Sequence, residues 1–215
     1  MLITGTGTGI GKTWVSAQVL GLLRRRGATV AARKPAQSFD PGDDEASRTD
    51  AHILAAASGE SPTVVCPPHR WYPRAEAPVM AARGLGRDPF TTAELAAEVS
   101  GSWPATGCDL GLVEGAGGAR SPLAEDGDSL ALASTLDVDV AVVVAGAGLG
   151  VINDVRLCAA AVSAAPLGAP IVFLNRFDPA ADGGLHERNR RWLADVDAMA
   201  VVQSVPTLVE LLTGG

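Results

Sequence analysis

The sequence predicts an α/β fold: a doubly wound, mostly parallel sheet with helices on both faces. Three observations lead there. Short apolar runs alternate with longer helical stretches along the chain, the pattern of strand–helix–strand crossovers. Within each run the residues are apolar without a break, as strands covered on both faces must be. Glycine-rich and charged segments follow those runs directly, and parallel sheets bind ligands beyond the carboxyl ends of their strands.

In order, strands are expected at residues 1–4, 28–33, 110–113, 138–145, 170–174 and 198–202. Helices are expected at about 12–26, 49–57, 91–101, 129–136, 153–165 and 185–196, with a short one after Pro206. The first helix closes on Arg24-Arg25-Arg26, whose charges complement the negative end of the helix dipole, and Gly27 supplies the left-handed residue after it. The chain has 215 residues, 47% apolar and 19% charged. That is enough for one well-buried core and short for two, so a single domain over residues 1–215 is expected.

A net charge of −7 without a basic stripe argues against a nucleic-acid partner. Cys66, Cys108 and Cys158 are scattered and odd in number, which fits a reducing compartment rather than disulfides. The longest apolar stretch, residues 140–152, is too short to span a bilayer and holds three glycines. With a strand at the first residues there is no room for a cleavable leader, so a cytoplasmic location without membrane contact is expected.

The segment Gly5-Thr6-Gly7-Thr8-Gly9-Ile10-Gly11-Lys12-Thr13 follows the first apolar run. Its glycines let backbone N–H groups converge on phosphate oxygens, and the helix that starts near Gly11 adds its positive end. Lys12 supplies a charge for the outer phosphates, and the Thr13 hydroxyl can enter a Mg²⁺ shell. Gly9, Ile10, Gly11, Lys12, Thr13 and Trp14 are therefore the candidate nucleotide-binding residues of a P-loop NTPase type of site. Gly5 to Gly11 encloses five residues, one more than the usual loop.

Two further segments sit at strand ends. In Asp109-Leu110-Gly111-Leu112-Val113-Glu114-Gly115-Ala116-Gly117-Gly118 an apolar strand ends in an acid and a glycine loop. A carboxylate at a buried strand tip suits a metal or its water shell, and desolvating it without a cation would be costly. The glycines beside it, Gly117 among them, allow substrate to approach the backbone. In Lys34-Pro35-Ala36-Gln37-Ser38 the proline turn aims Lys34 across the sheet end, although spacing alone supports a solvated lysine equally. Asp50 follows the acidic loop Asp43-Asp44-Glu45 and, taken alone, is a helix-start residue. His52, His69 and His186 have no ligand or triad spacing and suit solvent or cap positions.

The phosphate loop, Lys34-Pro35 with Ser38, Thr49-Asp50, Glu114-Gly115-Ala116-Gly117-Gly118 and Gly148-Leu149-Gly150-Val151-Ile152-Asn153 together resemble the dethiobiotin synthetase family over nearly the whole chain. The resemblance implies an ATP- and Mg²⁺-dependent ring closure. A diamino acid, 7,8-diaminononanoate, takes up CO₂ as a carbamate, which attacks the γ-phosphate of ATP, and the second amine captures the resulting anhydride. It further implies that Lys12 binds the outer phosphates, and that Lys34 neutralises the carbamate and transferring group. Thr13, Asp50 and Glu114 would hold Mg²⁺, while Thr8 and Ser38 would hydrogen-bond the carbamate or diamine. Leu149, Gly150, Val151, Ile152 and Asn153 would receive the substrate carboxylate across a two-fold homodimer interface. By itself that loop is also a plausible anion-binding turn, with Asn153 opening the next helix. Asn175 would read adenine, with the Pro206 segment against the base.

Two departures stand out. Gly9 occupies a position where many family members carry an acid, and Ala77-Pro78-Val79-Met80 lacks the expected histidine. The alternatives are a ParA/MinD-type switch ATPase, which wants a lysine where Gly7 lies, and a cobyrinate or cobyrate amidating synthetase, which needs a glutaminase domain as well.

Overall fold

The computed structural model describes residues 1–42 and 49–214; the acidic loop Asp43-Asp44-Glu45 lies outside the described residues. In chain order the strands are β1 (Leu2–Gly5), β2 (Val30–Arg33), β3 (Gln37–Ser38), β4 (Trp71–Tyr72), β5 (Leu110–Glu114), β6 (Ala141–Gly146), β7 (Ile171–Asn175) and β8 (Ala200–Val202). The α-helices are α1 (Lys12–Arg25), α2 (Asp50–Ser58), α3 (Pro62–Val65), α4 (Pro78–Gly84), α5 (Thr92–Ser102), α6 (Ser129–Thr135), α7 (Val151–Ala164), α8 (Ala181–Arg191) and α9 (Val205–Thr213).

Six strands form one parallel sheet in the order β2-β5-β1-β6-β7-β8. Successive side chains of β1 enter opposite cores, as strand geometry requires. Ile3 joins Val15, Val19, Val144 and Leu208 on one face, and Leu2 joins Leu130, Val143 and Val162 on the other. The chain leaves β1 toward β2 on one flank and leaves β5 toward β6 on the other. A crevice therefore opens at the carboxyl ends of β1 and β5.

Local chemistry sets the helix ends. Gly27, at φ 88°, closes α1, with Ala28 N–H bonding Leu23 O and Gly27 N–H bonding Arg24 O. Thr91 and Glu94 form a reciprocal capping box at α5, and Asp128 caps α6 by accepting from the Leu130 and Ala131 amides. The expected strands at 28, 138 and 198 begin a little later, because Gly27, Asp137 and Ala198 turn the chain at positive φ just before them.

Three features differ from expectation. Asn153 does not open its helix: Gly150, at φ 92°, is the cap, α7 begins at Val151, and Asn153 lies in the first turn. The helix expected at 185–196 does begin its regular part at Leu185, after positive φ at Asp182, Gly183 and Gly184, but its end differs: α8 stops at Arg191 and a π turn covers Trp192–Val196. The small parallel pair β3–β4 and the short helices α3 and α4 were not expected. Two-residue strands and the four-residue α3 are too short to leave a periodic pattern.

Candidate active site

Sheet register assembles the site. Arg33 is paired with Val113, so Lys34, the next residue after β2, comes beside Glu114, the last of β5. Ile3 is paired with Glu114, which brings the same carboxylate against the start of the phosphate loop. Helix α1 begins at the end of that loop with Lys12 and Thr13, and α2 begins with Asp50. Gln37 fixes the start of α2, its Oε1 accepting from the Ala51 amide at 3.0 Å.

Lys12, Thr13, Lys34, Gln37 and Asp50 border a cavity of about 590 Å³ that also includes Thr8, Ser38 and Gly117 in its wall, and the fully buried Glu114 is in contact with Lys34 and Thr13. Lys34 is 2% exposed. Its ammonium lies 2.7 Å from Asp50 Oδ2 and 2.9 Å from Glu114 Oε1, and donates to Gly115 O at 3.1 Å. Burial alone would lower the Lys34 pKa, but the Asp50 and Glu114 charges overcome it and hold it above the ordinary lysine range. Burial likewise works against the Asp50 carboxylate, yet Lys34 holds its pKa below the usual value. The solvated alternative for Lys34 is thereby excluded.

Lys12 is 7% exposed and folds back on its own loop, donating to Gly7 O at 2.8 Å. Burial, and after it the nearby Lys34 charge, pushes its pKa down to about 8. Gly11 is required where it stands: its φ is 97°, and a Cβ there would come 2.1 Å from Asn175 Nδ2.

The Thr13 hydroxyl oxygen lies 2.7 Å from Asp50 Oδ1 and 2.9 Å from Glu114 Oε1. A hydroxyl has one proton, so it satisfies one of these carboxylates at a time. The result is a cluster of hard oxygens with a deficit of positive charge, which fits a small cation such as Mg²⁺ that keeps part of its water shell. Among the described residues no three His, Cys, Asp or Glu side chains gather as a cage, so a cation here would meet two carboxylates and a hydroxyl.

A second groove, about 480 Å³, continues past the loop between Gly11, Trp14, Asn175 and the Gln203-Ser204-Val205 segment. Asn175 Nδ2 donates to Ile10 O at 2.7 Å, tying β7 to the phosphate loop. Pro206 itself is exposed and outside the groove lining; the residues just before it form that wall.

Not every candidate converges. Leu149, Gly150, Val151, Ile152 and Asn153 line neither the cavity nor the groove, and Leu149 is 92% exposed. The histidines are elsewhere too: His52 bonds Thr49 and meets Trp71 edge-on, His69 pairs with Glu98, and His186 accepts from the Asp178 amide. Ala77 and Pro78 border the cavity, whereas Val79 turns into the core with Leu95 and Leu123. Ser16 was not anticipated as a site residue. It lies one turn after Thr13 on α1, a spacing that places both on one helix face, and bonds the far oxygen of Glu114.

A parallel sheet with a phosphate loop at the end of a central strand places the chain among the P-loop NTPases, and the AAA domain family matches residues 1–212. The chloroplast FtsY of Physcomitrella patens shares the fold, with a TM-score of 0.51 at 14% identity over 99% of this chain and 64% of that one. In sequence the chain is 41% identical to the ATP-dependent dethiobiotin synthetase BioD of Chromohalobacter salexigens, over 75% of this chain and 68% of the relative. It is 37% identical to that of Streptomyces coelicolor, over 96% of this chain and 83% of the relative. The chain belongs to the dethiobiotin synthetase family.

Proposed function

We propose that the protein is an ATP- and Mg²⁺-dependent ligase that carboxylates 7,8-diaminononanoate with CO₂ and closes the cyclic urea of dethiobiotin. The observation that carries this reading is the Lys34 ammonium, buried between Asp50 and Glu114 at the cavity that also takes Lys12 and Thr13.

The reaction asks two anions to meet in line. One amine takes up CO₂ as a carbamate, whose oxygen attacks the γ-phosphorus as the bond to ADP breaks. The neighbouring amine then attacks the carbonyl carbon of the carbamic-phosphoric anhydride, and phosphate leaves. Little covalent help is needed; charge neutralisation and alignment are. Lys12, at the helix start, neutralises the outer phosphates, and Lys34 neutralises the carbamate from the other side. All three Lys34 protons have acceptors at hand, so the carbamate replaces the longest bond, the one to Gly115 O at 3.1 Å. The Thr8 and Ser38 hydroxyls and the backbone at Gly117 hold the diamine end. Thr13, Asp50 and Glu114 would hold Mg²⁺, which when bound neutralises charge on the phosphoryl oxygens. The base lies in the groove beside Trp14, with Asn175 reading adenine.

The same reading makes residues 1–215 one domain that pairs into a homodimer in the cytoplasm. Among the described residues no helix is long and apolar enough to cross a membrane. Leu149, 92% exposed on a loop that lines neither the cavity nor the groove of its own chain, supports an interface there, with residues 149–153 taking the substrate carboxylate of the other subunit. Leu149→Glu is accordingly expected to lower the apparent mass in light scattering and raise KM for the diamine, with nucleotide affinity unchanged. An unaltered mass and KM would remove the shared-site reading.

The decisive experiment is phosphate release from ATP and Mg²⁺ with bicarbonate, with and without the diamine, alongside detection of the cyclic product. Turnover that ignores the diamine would sink the ligase assignment and favour a switch ATPase.

A further inference from the structure

Ser16 is fully buried on α1, and its Oγ donates to Glu114 Oε2 at 2.6 Å. Glu114 is itself 0% exposed. Its other oxygen, Oε1, lies 2.9 Å from both Thr13 Oγ1 and Lys34 Nζ. Among the described residues, Ser16 is the one hydrogen-bond partner of Oε2. A serine inside a helix commonly turns back to a carbonyl of the preceding turn; Ser16 instead reaches across to β5. The terminal torsion of a glutamate is soft, so without this bond the carboxylate is held at Oε1 alone and its plane can turn, and a buried carboxylate oxygen is left without a donor, which is costly.

We propose that Ser16 is a positioning residue for the divalent cation. By fixing the Glu114 carboxylate plane it keeps Oε1 turned toward Thr13 and Asp50, so a cation arriving with nucleotide meets donors already in place. This rests on the reading that Thr13, Asp50 and Glu114 hold Mg²⁺. The bond from Ser16 contributes no ligand of its own; it sets the orientation of one, a role whose loss typically weakens metal affinity about 10–100-fold.

The test is titration of Mn²⁺ into ADP-loaded protein, read by electron paramagnetic resonance, with ADP affinity in EDTA measured beside it. Wild type, Ser16→Ala and Glu114→Gln are compared, after melting curves establish that each is folded. The expected result is a Mn²⁺ affinity lowered about tenfold or more in Ser16→Ala, with ADP affinity in EDTA unchanged. Ser16→Cys keeps the side-chain shape with a larger atom and a weaker donor, so it is expected to fall between; it also replaces Ser16→Ala if that variant does not fold. A lower melting temperature with Mn²⁺ binding equal to wild type would overturn the proposal and leave Ser16 a packing residue. If Glu114→Gln loses Mn²⁺ while Ser16→Ala retains it, Ser16 alone is misassigned. If Glu114→Gln also retains it, the metal site lies elsewhere and both readings fall.

Discussion

Lys34→Ala is expected to stop ring closure while leaving nucleotide binding in EDTA nearly intact. In the proposed reaction Lys34 would act where charge develops, and removal of one such preorganised donor typically lowers turnover about 10²–10³-fold. A loss confined to the transition state falls on kcat and kcat/KM together. Stability should suffer as well. Glu114 is fully buried and would lose its cationic partner, and breaking a buried pair from one side costs about 3–5 kcal/mol. Mg²⁺ with ADP should then raise the melting temperature of the variant more than that of wild type, because added positive charge fills the same deficit. An equal fall in nucleotide affinity and turnover would instead assign Lys34 to the nucleotide pocket.

Lys12→Ala is expected to weaken ADP and ATP binding about 10–100-fold, the worth of one or two charge-assisted hydrogen bonds. The pH dependence is the sharper signature. In the free protein the Lys12 pKa is about 8, so above that pH the side chain is mostly neutral. Phosphate oxygens favour the charged form, so binding above pH 8 takes up a proton, and affinity falls as pH rises further. Calorimetry in two buffers of different ionisation enthalpy measures that uptake, and Lys12→Ala should abolish it. Stability moves the opposite way. The folded pKa is lowered, so the unfolded chain binds more protons from about pH 8 up to the ordinary lysine value, and this group's contribution to stability increases with pH across that window. Binding in wild type that is flat from pH 7 to 10 would refute the placement of Lys12 at the phosphates.

The sequence made the strand-end residues legible, because an apolar run followed by Gly-rich loop, Lys-Pro or Glu-Gly places each at the same sheet edge. Lys34 remained ambiguous, since spacing cannot distinguish a solvated ammonium from one 2% exposed between two carboxylates. Asp50, taken alone, read as a helix-start residue: its position as the first residue of α2 is visible locally, but its pairing with Lys34 is a tertiary fact. Ser16 escaped notice because a small polar residue inside a helix looks like a solvated or back-bonded serine until β5 is packed against it. The β3–β4 pair was invisible for a different reason, as its two-residue strands are specified by pairing and not by local pattern.

Strand β1 hydrogen-bonds β5 on one side and β6 on the other, with Leu2 beside Val113 and Gly5 beside Val144. During synthesis, then, β1 emerges before both of its neighbours and must wait for them, and pairings this remote in sequence close slowly. Ribosome-bound fragments ending before β6 hold the phosphate loop from the β5 side alone, without the bonds from Thr6 N–H to Val144 O and from Asn175 to Ile10 O, so the capacity to grip a nucleotide is complete only once β7 has left the exit tunnel.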